Sequence, residues 1–118
     1  MLIDHGVFRL YNPPVDHPWR RVGALFLTND SGVDWYSIAH ALPKKRRGIR
    51  FAMIRSDGIV NSVGDDAEAM WPIDCRFVET DATDVDIGYS FDGNAFTPPT
   101  RPTPAPAAPT PSPGINTI

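Results

Sequence analysis

The sequence holds a single cysteine, Cys75. A lone thiol excludes an internal disulfide and any metal site built on several cysteines. With Phe77 beside it, Cys75 reads as a small side chain packed at a core edge. Long apolar runs are also missing. VGALFL, residues 22–27, has strand length and falls far short of the ~20 residues a membrane helix needs. The N-terminal MLIDHGVFRLYNPP places Asp4 early and lacks the basic and apolar regions of a signal peptide. That predicts a chain retained in the cytosol of the cell that makes it.

Catalytic signatures are scarce too. The sequence has no glycine-rich phosphate loop, no nucleophile elbow and no His-Glu helix motif. His5, His17 and His40 lie far apart, without a second ligand at helical or hairpin spacing, whereas a metal site needs three or four convergent groups. Asp65, Asp66 and Glu68 lack the spacing and the glycine of a calcium-binding loop and read as a solvated acidic turn. The carboxylates as a set fall in segments that read as wet turns, where nothing separates their pKa values for acid–base work. The expectation is a protein with no metal, no cofactor and no enzymatic activity.

Charge is present but divided. Residues 1–55 carry a net +5 and residues 56–99 a net −9, and the whole chain is at −3. Two oppositely charged halves can fold against each other or face two partners. Lys44, Lys45, Arg46 and Arg47, with Arg50 close by, form the densest cationic cluster. Such a cluster can contact nucleic acid through phosphate. The acidic balance of the chain and the lack of interleaved aromatics favour instead an acidic protein surface, on a partner or on this chain's own second half.

Local patterns give an outline. Residues 6–11 (GVFRLY) read as a strand stopped at Asn12-Pro13-Pro14, because proline cannot donate to a ladder. Residues 21–29 read as a second strand, buried on both faces. Trp35, Ile38, Ala39 and Leu42 fall at i, i+3, i+4, i+7, which predicts a helix over residues 33–42, capped by Ser31 or Asp34 and ended by Pro43. Trp35 belongs to its core face. Residues 49–63 read as a hairpin turning at Ser56-Asp57-Gly58, with Ile49, Phe51 and Met53 on one face and Arg50, Ala52 and Ile54 on the other. Residues 65–70 form a loop or a single helical turn, and residues 75–80 a strand. A second hairpin follows, with Tyr89 and Phe91 on one arm, Asp92-Gly93-Asn94 at the turn and Phe96 returning, so that the three rings cluster.

Residues 98–113 contain eight prolines among sixteen residues, a composition that favours extended polyproline II. The tail ends with Ile115 and Ile118, a candidate apolar anchor. The predicted fold is therefore α+β: a small, mostly antiparallel sheet of four to six strands with one short helix over residues 1–97, then an extended proline-rich arm over residues 98–118.

The second half resembles the C-terminal segments of small tailed-bacteriophage proteins. In those families D-G-x-V-x-x-V precedes V-x-I-G-W-x-Y-D-G-x-x-F-x-P-P. Here the first line is Asp57-Gly58-Ile59-Val60-Asn61-Ser62-Val63 and the second runs from Asp84-Val85-Asp86-Ile87-Gly88-Tyr89-Ser90-Phe91 to Asp92-Gly93-Asn94-Ala95-Phe96-Thr97-Pro98-Pro99. Tyr89 stands where Trp is usual and Phe91 where Tyr or Trp is usual, so each place keeps an aromatic. Asp34-Trp35-Tyr36 is similar to the D-W-Y segments of small phage tail proteins. The resemblance implies a virion-associated or assembly protein; the favoured expectation is a structural or accessory protein of the tail or neck, in fibre or baseplate attachment, partnered by other phage structural proteins in symmetric copies. The same ending occurs on tail-fibre assembly-like proteins, fibre segments and small virion accessory proteins, and a tail-fibre assembly chaperone and a capsid decoration protein are the alternative readings. The residues expected to meet partners are Trp19, Lys44, Lys45, Arg46, Arg47, Trp71, Tyr89, Phe91, Phe96, Ile115 and Ile118.

Overall fold

The computed structural model describes residues 1–13, 15–16 and 25–100. Trp19, His17, residues 21–24 of the strand expected over residues 21–29, and the arm beyond Thr100, with Ile115 and Ile118, lie outside the described residues. The fold is α+β. Five strands form an antiparallel sheet: β1 (Leu2–Leu10), β2 (Leu27–Thr28), β3 (Arg50–Ile54), β4 (Val60–Gly64) and β5 (Cys75–Thr80). Their spatial order is β2-β1-β5-β3-β4. Among the described residues one helix, α1 (Trp35–Ala41), and one 3-10 turn (Ala67–Ala69) lie on the connections, and a separate hairpin pairs β6 (Ser90–Phe91) with β7 (Phe96–Thr97).

The β3–β4 hairpin forms where Asp-Gly directs it. Gly58 adopts φ +84, the Asp57 carboxylate accepts the Ile59 N–H at 3.1 Å, and the Gly58 N–H donates to the Arg55 carbonyl at 2.9 Å. Alternation along β3 then feeds both faces of the sheet. Phe51 and Met53 join Phe8, Trp35, Cys75 and Phe77 in one cluster. Ala52 and Ile54 join Val60, Val78 and Val85 in the other. α1 packs on the first face. The chain from Val85 to Phe96 packs on the second, so the central strands β3 and β5 are covered on both sides.

The helix is shorter than its apolar spacing predicts. Asp34, of the two candidate caps, accepts the Tyr36 N–H at 2.8 Å, and Leu42 is already extended ahead of Pro43. The Tyr11 hydroxyl also donates to Asp34, which ties the end of β1 to the helix start. Burial, reinforced by the Asp34 carboxylate, pushes the Tyr11 phenol up to about 12.

Two strand expectations need correction. β1 begins at Leu2 rather than at residue 6, because Leu2 pairs with Thr80 and Ile3 with Glu79 on β5. The register shifts between Asp4 and Val7, around Gly6 at φ +86. Of the second expected strand, only Leu27–Thr28 is strand among the described residues, and Leu25 is 60% exposed. Phe26 and Leu27 are buried as expected.

Gly58 gives a direct test of the packing between hairpin and tail. A Cβ there would stand 3.3 Å from the Phe91 carbonyl oxygen, at a positive φ, while the Phe91 N–H donates to the Gly58 carbonyl at 2.8 Å. Gly58→Ala is expected to cost about 1–3 kcal/mol. Gly93→Ala is the control, since it shares a positive φ but has no neighbour within 4 Å. A Gly58 variant whose urea midpoint falls no further than the Gly93 variant's would show that the tail segment does not press on this turn.

Candidate functional site

The residues singled out for partners fall into three places. The hairpin aromatics are the first. Phe91 and Phe96 are cross-strand partners, with ring centroids 4.8 Å apart. Together with Tyr89 they pack on the second apolar cluster. The three rings thus turn inward and remain half-buried. Backbone bonds hold the segment to the body: Val60 N–H to the Tyr89 carbonyl at 2.8 Å, Gly88 N–H to the Val60 carbonyl at 2.9 Å, and Phe91 N–H to Gly58. The hairpin acts as a mount whose outer faces stay accessible.

The basic loop is the second place, and much of its charge is used inside the molecule. Lys44 Nζ lies 2.6 Å from Glu68, and His40 pairs with the same carboxylate. Arg50 donates to the Val85 carbonyl at 2.9 Å. Arg46 pairs with Glu79. Lys45 and Arg47 are exposed and have no ion-pair partner among the described residues. The loop geometry is fixed by Lys45, at φ +54, whose N–H donates to the Asp65 carbonyl at 2.8 Å.

Glu79 overturns the reading of the carboxylates as uniformly solvated. It lies on β5 with a side chain only 3% exposed, between the Arg46 guanidinium and His5 Nε2, the latter 2.6 Å away. An ionised carboxylate only accepts, so Nε2 carries the proton on this contact. Arg46 also stacks over the Phe51 ring at 5.6 Å, and its Nε is buried without a hydrogen-bond partner among the described residues. A signal for this site was available. Cys75, Phe77 and Glu79 alternate on one face of CRFVET, so a core face at the first two places the third in the core as well.

Burial pushes the Glu79 carboxyl up, but hydrogen bonds from Arg46 and His5, and their charges, outweigh it and hold the carboxyl below its usual range. The folded protein therefore releases this proton more readily than the unfolded chain does. The associated stability is complete above the usual carboxylate range and is lost as pH falls through it toward the depressed value. The urea midpoint should drop between pH 7 and pH 3, and Glu79→Gln should flatten that dependence. An unchanged slope in the variant would show that Glu79 does not couple folding to acid.

The third place is a groove of about 240 Å³ between α1 and the 3-10 turn, lined by Trp35, Tyr36, Ala39, His40, Met70 and Trp71 and rimmed by Glu68. Trp71 packs half-buried against the first cluster, with its ring 5.9 Å from that of Tyr36. A larger cleft of about 480 Å³ lies beside the β6–β7 turn and includes Arg9, Arg55, Arg76, Asp74 and Asp92. Its charges largely offset one another, since Arg55 pairs with Asp57 and Arg76 with Asp4. Among the described residues no group of three or more His, Cys, Asp or Glu could hold a metal ion, and no helix is long and apolar enough to cross a membrane. Cys75 is buried, and burial pushes its thiol up, away from a reactive thiolate.

Comparison with protein-family models finds no match. Comparison with curated proteins finds none either, so the case for a function rests on the residues and their arrangement.

Proposed function

We propose that the protein is a structural or accessory component of a tailed-bacteriophage virion, placed in the tail or neck, which docks through its body and a C-terminal strap. The observation that carries this reading is the mounting of the second hairpin. Residues 88–91 bond to residues 58–60, and the aromatic side chains pack into the body. Whatever follows Thr100 therefore starts from a fixed point. A proline-rich strap loses little entropy on docking, and its backbone polar groups can pair with a neighbour or with water. Repetition in a symmetric particle multiplies weak contacts. The sequence resemblance over residues 57–99 gives the same direction.

Mass spectrometry of purified particles tests the reading. A structural component appears at fixed stoichiometry, and a chain ending at residue 97 incorporates less while its body stays folded. Absence from finished particles would favour a departing assembly chaperone instead, and turnover of a substrate would favour an enzyme.

A further inference from the structure

The groove between α1 and the 3-10 turn and the proline-rich tail have complementary chemistry. We propose that the groove is a docking site for the polyproline tail, residues 98–113, of a second copy of this chain. The proposal rests on the strap reading above and names where the strap lands.

Aromatic-lined grooves accept polyproline II because a proline ring packs flat between aromatic walls and the ligand is already extended. The groove offers such an aromatic surface in the half-buried Tyr36 and Trp71, over a floor of the buried Trp35 and Met70. Met adapts its shape to an irregular ligand. Electrostatics agree. Arg101 is the only charged side chain from residue 98 to residue 118. Asp66 and Glu68 bring two carboxylates beside the groove, where Lys44 faces both and His40 faces Glu68.

The position of the tail selects a second copy over the same chain. α1 lies on the sheet face of Phe51 and Phe77, whereas the β6–β7 hairpin lies on the opposite face, with Ala52 and Val78. Pro99 leaves from that opposite side, 3.9 Å from where a Cβ on Gly88 would stand. A polyproline rod of the 16 residues from 98 to 113 spans about 50 Å. Its stiffness favours running outward to a neighbour over doubling back around the sheet. Each copy gives one tail and receives one, a head-to-tail contact that builds rings or filaments.

The body can be tested alone, because among the described residues neither apolar cluster uses one beyond Phe96. A synthetic peptide of residues 98–114 is titrated into a chain ending at residue 100, followed by tryptophan fluorescence and amide NMR. Saturable binding is expected, with the largest shifts at Tyr36, Met70 and Trp71. Trp71→Ala is expected to weaken it about tenfold, as for an aromatic anchor in a pocket. That variant could unfold the body, so peptides with serine at Pro102, Pro104, Pro106 and Pro109 provide a test that leaves the body intact, with a similar loss expected. In sedimentation velocity the full chain should associate with rising concentration, and the shortened chain should remain monomeric.

No peptide binding, shifts away from the groove, or full affinity for the serine peptides would overturn the proposal. A full-length chain that stays monomeric and refuses added peptide would overturn it in favour of self-docking. Its failure is separable from that of the virion reading: the protein would be present in particles while its body ignores the peptide. The converse is peptide binding by a protein that particles lack.

Discussion

Arg46→Met is expected to remove about 3 kcal/mol of folding stability, the lower end of what breaking a buried ion pair costs, and to lower the melting temperature by roughly 12–24 °C. Methionine keeps an apolar stem over Phe51, so the loss isolates the guanidinium. What it leaves behind is Glu79, 3% exposed, with only His5 to accept from. The lower end applies because His5 remains and because the Arg46 side chain is 29% exposed, so water can partly solvate the site. The double variant Arg46→Met, Glu79→Leu separates pairing from packing. If the cost is that of a stranded carboxylate, removing the carboxylate should recover much of it, and the double variant should be more stable than Arg46→Met alone. A single variant within about 0.5 kcal/mol of the parent chain would show that Glu79 does not depend on Arg46.

This pair also marks where the sequence stops being legible. The β3–β4 hairpin could be read because its information is local: Asp57-Gly58 supplies the turn, and alternation supplies the faces. The helix could be read for the same reason, from the spacing of Trp35, Ile38, Ala39 and Leu42 and the cap at Asp34. Glu79 meets His5 across 74 residues and Arg46 across 33. No window of local sequence contains both partners. The early start of β1 was hidden likewise, since residues 2–5 become strand only by pairing with β5. The aromatics of the second hairpin were recognised as a cluster, but their direction depends on Val60, Val78 and Val85 waiting beneath them. The divided charge left two arrangements open, the halves meeting each other or facing two partners, and contacts of the first kind are present. Lys44 with Glu68 and Arg46 with Glu79 are two such meetings, and they leave Lys45 and Arg47 as the exposed remainder of the cluster.

The largest expected loss is at Phe77. Its ring is fully buried, with centroids 4.7 Å from Trp35 in an edge contact, 5.3 Å from Phe51 and 5.8 Å from His5. Phe77→Ala removes the transfer free energy of the ring and leaves a cavity among side chains from three different elements, a cost of about 3–5 kcal/mol. The lost aromatic contacts lie within that figure, since pairs of this kind contribute about 0.5–1.5 kcal/mol beyond area burial. For a domain of this size the whole margin is only about 5–15 kcal/mol, so the variant is expected to lose between about a fifth and all of its stability. Phe77→Leu should recover more than half the loss by refilling the cavity. The position of Phe77 adds a second readout. It lies two residues before Glu79 on the same face of β5, and it touches the ring of His5. A collapsed cavity would therefore also loosen the His5–Glu79 contact, and the losses from Phe77→Ala and Arg46→Met should not add. Additive losses, measured by urea denaturation of the single and double variants, would mean that core and ion pair are independent, and that the charged site is held by β5 and the basic loop without help from the aromatic layer beneath α1.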